Sequence, residues 1–256
     1  MFLIDTHTHL DQFPELDAVL ARADAAGVIS ILTLAVDLAT CRRNLEIAAV
    51  CQRPRIYLGL GIHPGEARID ELAPCLDLMR ENAAKIALVG EIGLDFTYPW
   101  ARKDEQKKAE QRQVYKAMLA FAVEHDLPVS IHARGKWKEC FETAAEMGVK
   151  RAVFHWYSGP NDVLEKILER GFFVSFTPSL AYSADTQRVA LATPIEQSLV
   201  ETDCPVRYRD RETGDNLTSE PKDVFRSFEL FCELKNLDLQ STAEVLNKNA
   251  LWFVSK

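Results

Sequence analysis

Residues 2–10 read Phe2-Leu3-Ile4-Asp5-Thr6-His7-Thr8-His9-Leu10, a short β-rich run that ends in two histidines. Seven further runs rich in Val, Ile, Leu and Phe follow along the chain. Most of the runs lack polar–apolar alternation, which is typical of parallel strands covered on both faces. The eight runs predict strands over residues 2–6, 28–36, 55–62, 87–94, 128–133, 151–156, 172–177 and 197–202.

Amphipathic helical patterns separate these runs. They cover residues 15–26, 41–52, 69–83, 104–125, 137–147, 160–170 and 184–193, and a last helical region begins at Pro221. Eight strand–helix units with right-handed crossovers close into a (β/α)8 TIM barrel. A doubly wound open sheet is the alternative, but no glycine-rich fingerprint follows the first strand. Because 256 residues is a usual size for this barrel, we expect residues 1–256 to form a single domain.

Composition excludes several classes of protein. The net charge of −8 disfavours a protein that coats nucleic acid through bulk charge. The apolar runs fall far short of the roughly 20 residues that a membrane helix needs, and the N-terminus lacks the features of a signal peptide. Six widely spaced cysteines without a Cys-x-x-Cys pair indicate reduced thiols and a cytoplasmic protein.

Histidines and acids collect at the ends of the predicted strands. Because the carboxyl ends of barrel strands share one face, we expect these side chains to converge on one cavity. Side chains two residues apart on a strand point the same way, so His7 and His9 aim together. The strand-end histidines are His7, His9, His63, His132 and His155, and the acids are Glu91 and Asp203.

Histidine and carboxylate ligands suit borderline divalent ions, and six of them exceed what one tetrahedral ion needs. We therefore predict two divalent metal ions, with identity open among Zn²⁺, Mn²⁺, Mg²⁺ and Ni²⁺. Glu91 is the natural bridge, because its two oxygens can face two ions. A single histidine at a strand end is more often structural, but the whole set in register favours a metal site. The predicted ligands are His7, His9, Glu91, His132, His155 and Asp203.

Six sequence blocks resemble the TatD family of metal-dependent hydrolases and deoxyribonucleases, which have amidohydrolase-type barrels. They follow in order along nearly the whole chain, and the run around residues 206–211 looks closer to an archaeal-type branch. The blocks are Ile4-Asp5-Thr6-His7-Thr8-His9-Leu10, Gly61-Ile62-His63-Pro64, Gly90-Glu91-Ile92-Gly93-Leu94-Asp95, Pro128-Val129-Ser130-Ile131-His132, His155-Trp156-Tyr157-Ser158-Gly159 and Glu201-Thr202-Asp203-Cys204-Pro205.

The resemblance implies a division of the ligands between two ions. One ion would be held by His7, His9 and Asp203, the other by His132 and His155, with Glu91 between them. It also implies a hydrolase whose characterised relatives include nucleases that remove nucleotides from single-stranded or damaged DNA. Some similar proteins are linked to removal of D-amino acids from mischarged tRNA. Membership therefore predicts the reaction type better than the substrate.

The expected mechanism uses a hydroxide formed between the ions, because metal binding brings the pKa of water to about 7. We predict four catalytic residues. Glu91 bridges the ions, Asp203 accepts the proton of the water, His63 acts as an acid or phosphate contact, and Arg134 grips a phosphate. His63 before Pro64 is nearly as well explained as a structural residue. Glu201 and Asp95 are expected to orient ligands.

The substrate contacts are predicted from basic and aromatic residues on the active-face loops. Basic side chains between aromatic ones suit a single strand of DNA, so a local rim would let an acidic protein bind a polyanion. The predicted contacts are Arg134, Tyr157 and Arg207, with Tyr98, Trp100, Trp137, Trp156, Tyr208, Arg209 and Arg211 as further members of the rim.

Two other functions stay open. The first is an ester or amide hydrolase, such as a D-aminoacyl-tRNA deacylase, on the same two-metal site. The second is a metal-stabilised scaffold without activity, which the cost of burying six polar ligands disfavours. We expect a monomer with DNA ends or single strands as substrate, no obligate protein partner and no membrane association.

Overall fold

The computed structural model describes residues 1–209, 214 and 216–255. Eight parallel strands form one sheet in chain order, which curls into a nearly closed (β/α)8 TIM barrel. Each predicted strand is present, with ends that shift by at most two residues. The strands are β1 Leu3–Thr8, β2 Val28–Leu34, β3 Arg55–Leu60, β4 Ile86–Gly93, β5 Val129–His132, β6 Ala152–Phe154, β7 Phe173–Phe176 and β8 Ser198–Val200.

Helices alternate with the strands and form the outer layer. The last helical region, predicted as one stretch, is two helices that Asn236 separates in a left-handed conformation. None of the described helices is long and apolar enough to cross a bilayer. The helices are α1 Leu16–Ala26, α2 Leu38–Val50, α3 Ile69–Glu81, α4 Glu105–Glu124, α5 Trp137–Glu146, α6 Asn161–Glu169, α7 Ala184–Ala192, α8 Val224–Lys235 and α9 Leu239–Phe253.

Two buried clusters make up the core. The larger one packs the outward side chains of the strands against the helices, for example Ile31 of β2 and Ile47 of α2. The smaller one fills the barrel, since its members come from six strands and from the end of α9. Apolar burial of this kind is the main stabilising contribution to such a fold. The smaller cluster comprises Ile4, Leu32, Leu34, Leu88, Val153, Phe173, Leu199, Ala250, Phe253 and Val254.

The barrel closes between β8 and β1 without a continuous ladder between the two described strands. We call this junction, made of residues 5–9 and 200–204, the β8–β1 seam. Thr6 Oγ1 donates to the Val200 carbonyl at 2.9 Å. Beyond the strand ends, the His9 amide donates to the Cys204 carbonyl at 2.8 Å. At the seam, individual hydrogen bonds therefore hold β8 and β1 together in place of the β-ladder that joins the other strands.

β4 has a register shift near its carboxyl end, in the segment that carries Glu91. Between Val89 and Ile92 the pairing with β5 gains one residue on the β4 side, which is a β-bulge. Gly93 follows with a φ of +154°, and a Cβ there would collide with the carbonyl oxygen of His132. Only glycine allows β4 and β5 to approach this closely at the mouth of the barrel.

The segment after β8 contains two short antiparallel strands. Its strands are β9 Arg207–Arg209 and β10 Asn216–Thr218. Tyr208 is buried, and its hydroxyl donates to the carbonyl of Thr202 at 2.8 Å, which anchors the hairpin to the barrel. Arg211, a predicted member of the basic rim, lies outside the described residues.

Candidate metal centre

The six predicted ligands meet at the carboxyl ends of the strands. His7 and Glu91 lie within strands, His132 ends one, and the others follow a strand within three residues. All but His132 are more than nine-tenths buried. Strands that are far apart in sequence thus deliver polar side chains to one place, as the parallel topology requires.

One oxygen of Glu91 faces the histidines of β1. Glu91 Oε2 lies 3.3 Å from both His7 Nε2 and His9 Nε2. Asp203 Oδ1 lies 3.5 Å and 3.3 Å from the same two nitrogens. His7, His9 and Asp203 are therefore spaced closely enough to hold one ion.

The other oxygen of Glu91 faces a second set of rings. Glu91 Oε1 lies 2.7 Å from His155 Nε2, 2.9 Å from His132 Nδ1 and 3.4 Å from His63 Nε2. A single carboxylate thus faces two separate groups of donors through its two oxygens. This geometry suits a residue that bridges two ions.

His63 joins this second group, although the sequence predicts it as an acid or phosphate contact rather than a ligand. Its Nδ1 accepts the Gly65 amide proton at 2.9 Å, so the ring proton belongs on Nε2. Burial lowers the pKa of His63 to about 3, which keeps the ring neutral. His63 therefore presents an N–H donor, and no free lone pair, to the centre.

The residues fit divalent cations. His7 Nε2 is buried and has no hydrogen-bond partner among the described residues, although it faces two carboxylates. Burial lowers the pKa of His9, but Asp203 and Glu91 together raise it to about 10. The two carboxylates thus favour positive charge beside the Nε2 atoms of His7 and His9, and a bound cation would supply that charge in place of a proton.

Hydrogen bonds outside the centre fix the ring orientations. His9 Nδ1 lies 3.0 Å from the Leu34 carbonyl, which only an N–H can satisfy, so Nε2 is the nitrogen that can give up its proton and bind an ion. His132 Nε2 lies 3.2 Å from Asp95 Oδ2, so His132 offers Nδ1 instead. Burial raises the pKa of Asp95, but its bonds with His132 and Thr97 lower it to about 2.

Glu201 lies behind the centre and is fully buried. Its Oε1 accepts hydrogen bonds from Ser175 Oγ at 2.5 Å and from the Trp156 amide at 2.9 Å. Its Oε2 faces His155 Nδ1 at 3.6 Å and His7 Nδ1 at 3.8 Å. The orienting roles predicted for Glu201 and Asp95 match these positions, one behind each side of the centre.

A cleft of about 720 Å³ opens onto the centre. His9, His63, Glu91, His132, His155 and Asp203 line it, with Arg134 at the rim. Sequence reasoning missed part of the wall, which follows β7. The sequence signal for it was the Ser and Thr residues within the segment 177–186. These wall residues are Ser179, Tyr182, Ser183 and Thr186.

Arg134 is half exposed, and its Nε and one terminal nitrogen both lie 2.7 Å from Asp95 Oδ2. Its two-pronged face is therefore occupied by Asp95, which corrects the predicted two-pronged grip on a phosphate and leaves only the remaining N–H groups for an anion. Tyr157 is also corrected. It is buried, is absent from the cleft lining, and its hydroxyl donates to the Pro160 carbonyl at 2.8 Å.

Arg207 is exposed on β9 and is not among the residues that line the cleft, whereas the preceding Pro205 and Val206 are. Among the predicted aromatic members of the rim, Tyr98, Trp137 and Trp156 line the cleft. The structure therefore brings Arg134 close to the centre but leaves Tyr157 and Arg207 outside the cleft.

A protein-family model described as TatD related DNase matches residues 4–254. The chain belongs to the TatD family. Its members are described as metal-dependent hydrolases and deoxyribonucleases, which agrees with the ligand geometry above. The resemblance of the six sequence blocks is thus confirmed at the level of the family.

Individual TatD proteins match over nearly their whole length. A putative deoxyribonuclease, tatdn3 of Danio rerio, is 31% identical, with 99% of this chain and 97% of the relative covered. An uncharacterized metal-dependent hydrolase of Methanocaldococcus jannaschii is 28% identical, with coverage of 99% and 97%. Because the animal and the archaeal relative are similarly identical to this chain, they do not single out the archaeal-type branch, which stays a prediction.

The fold matches as well. The crystal structure of the TatD homologue YJJV from Escherichia coli superimposes with a TM-score of 0.86 at 28% identity. The match covers 98% of this chain and 97% of that one. The barrel described here is thus the fold of a solved family member.

Proposed function

We propose that the protein is a divalent-metal-dependent deoxyribonuclease that cleaves phosphodiester bonds at the ends of single-stranded or damaged DNA. The carrying observation is that the two oxygens of Glu91 face separate sets of histidines. Two ions a few Å apart are typical of enzymes that displace an oxygen at phosphorus. The name of the zebrafish relative supports a DNA substrate.

In this proposal His7, His9 and Asp203 would hold one ion, His132 and His155 would hold the other, and Glu91 would contact both. When bound, such ions lower the pKa of water and stabilise negative charge on a phosphoryl group. Which metals serve, among zinc, manganese, magnesium and nickel, depends on affinity and supply.

The protein side chains supply proton transfer and positioning. The second oxygen of Asp203 accepts the proton of the attacking water. His63 Nε2, which carries a proton, donates to a phosphoryl oxygen. Arg134 places positive charge at the rim, while its bond with Asp95 holds it there. Arg207, exposed beyond the cleft, contacts a more distant phosphate.

The two lysines at the start of α4 are not counted among the DNA contacts. Lys107 and Lys108 on α4 each pair with a glutamate of the same helix, Glu110 and Glu105. Lys107 is partly exposed, whereas Lys108 is 17% exposed and lies over the Phe96 ring. An enzyme that binds an end of DNA needs only a few phosphate contacts, unlike one that binds a long duplex.

The deciding experiment incubates metal-loaded protein with end-labelled single-stranded DNA, beside an Asp203→Asn variant and a chelator control. We expect stepwise shortening that both controls abolish. Failure of the metal-loaded protein to cleave DNA would contradict the proposal. A parallel assay on D-aminoacyl-tRNA tests the alternative, in which the same centre hydrolyses an ester.

Three organisational features complete the proposal. Residues 1–256 form one domain, because both core clusters draw on elements from β1 to α9. The protein acts as a monomer without an obligate partner. It acts in the cytoplasm, which the six free cysteines support.

A further inference from the structure

Two aromatic rings are stacked on the segment that follows β4. The rings of Tyr98 and Trp100 are nearly parallel, with an interplanar angle of 8° and centroids 5.5 Å apart. Tyr98 lines the cleft, whereas Trp100 lies beyond it and is 41% exposed. Trp100 therefore combines a stacking contact with a residue of the cleft and a large surface that is open to solvent.

The stack is connected to the metal centre. The Arg134 guanidinium lies over the Tyr98 ring, 5.1 Å from its centroid. The edge of His63 meets the same ring, with centroids 6.3 Å apart. Arg134 is in turn bonded to Asp95, which contacts His132. Arg134 and His63 therefore restrict the ring of Tyr98, and Trp100 stacks on this restricted ring.

We propose that the exposed face of Trp100 is a stacking subsite for one nucleobase of the substrate strand, next to the cleaved phosphodiester. This inference rests on the proposed function. Every base has a flat π-face, so a single aromatic ring binds DNA without selecting its sequence. Because Tyr98 holds the indole in place, little side-chain freedom is lost on binding.

The pairing with Arg134 points to a nucleotide rather than to any flat molecule. Arg134 and Trp100 both pack on the ring of Tyr98, so one residue of the cleft holds a cation and an aromatic ring, which suit the phosphate and the base of a DNA strand. The other tryptophans of the cleft are packed into its wall. Trp137 meets the buried Tyr157, and Trp156 lies 5.5 Å from Tyr208. Trp100 is the member of the rim whose open face extends the cleft outward.

The test removes the ring and the base separately. Wild-type and Trp100→Ala proteins are compared on single-stranded oligonucleotides that carry one base-free site, moved stepwise along the strand from the cleaved bond. On the intact strand we expect Trp100→Ala to raise KM about 5- to 100-fold. When the base-free site lies at the position that stacks on Trp100, the KM of the wild type should rise by a similar factor. The KM of the variant should then rise little further.

Two further variants separate stacking from damage to the fold. Trp100→Phe keeps a ring and should recover most of the affinity. Trp252→Ala removes another half-exposed tryptophan, which packs on Phe173 at the opposite end of the barrel, and should leave KM unchanged. If Trp100→Ala raises KM by the same factor at every position of the base-free site, the proposed subsite would be overturned. If the wild type cleaves no DNA at all, the proposed function has failed instead.

Discussion

Glu201 Oε2 lies 3.6 Å from His155 Nδ1, inside a wall where neither atom has another hydrogen-bond partner among the described residues. The same oxygen lies 3.8 Å from His7 Nδ1. His7 and His155 belong to different sets of candidate ligands, and their rings are stacked with centroids 4.0 Å apart. One buried carboxylate therefore supports a ring on each side of Glu91.

We expect Glu201→Gln to lower the affinity for metal about 10- to 100-fold, because the single oxygen of an amide cannot both accept from the Trp156 amide and face the two rings. Competition with a chromogenic chelator measures this change. Glu229→Gln alters an exposed glutamate of α8 and serves as the matched control. Unchanged affinity in Glu201→Gln would show that the carboxylate does not orient the rings.

Metal binding should release a proton from His9. Its pKa in the metal-free protein is raised from 6.5 to about 10, so the ring is protonated at pH 8. A cation takes the place of that proton. Calorimetry at pH 8 in buffers of different ionisation enthalpy counts the protons released, and a count of zero would contradict the assignment.

The same group links stability to pH in the metal-free protein. Because its pKa is raised in the folded state, His9 contributes stability that is complete below pH 6.5 and is lost as the pH rises through 10. Bound metal should remove this dependence. Urea unfolding with and without chelator between pH 6 and 10 checks it.

Arg134→Gln should weaken DNA binding and flatten its salt dependence. Removal of one phosphate contact to a single strand lowers the slope of log K against log salt by about 0.7. Thermal unfolding should change little, since Arg134 is half exposed and the buried Asp95 keeps its bonds with His132 and Thr97. Arg43→Gln, an exposed position on α2, is the control. An unchanged slope would leave Arg134 with a purely structural role.

Thr202→Val should destabilise the β8–β1 seam. Thr202 Oγ1 donates to Asp5 Oδ2 at 2.7 Å, and its amide donates to Asp5 Oδ1 at 3.0 Å. Loss of the hydroxyl leaves one oxygen of a buried carboxyl without a partner, which costs about 1–3 kcal/mol. Urea unfolding measures the loss, and Thr218→Val at an exposed site of β10 should cost far less.

Sequence periodicity predicted the barrel well because each strand is buried on both faces and each helix on one. The ligand set was also predictable, since strand ends such as His7 and His155 must meet wherever eight parallel strands close. What periodicity cannot supply is the direction of side chains beyond the strand ends. Asp203 lies past β8 with a φ of +49°, yet it reaches the centre.

Tyr157 shows where this reasoning fails. An aromatic residue two positions after a ligand can turn either toward the cleft or into the core, and a hydrogen bond with Pro160 decides the matter. Arg134 likewise lies where predicted, but its pairing with Asp95 joins residues on two loops and leaves no trace in local sequence. The hairpin of β9 and β10 is too short for its pattern to be recognised.

The open seam gives an ion at His7, His9 and Asp203 a mechanical role as well. His7 lies on β1, His9 directly follows it and Asp203 follows β8, so these ligands lie on opposite sides of a junction that has no continuous ladder between the described strands. Regions with few backbone bonds open most readily, and their amide hydrogens exchange first. A cation bound there would link β1 to the segment after β8. Loss of metal should therefore loosen the β8–β1 seam even when every ligand residue is still present.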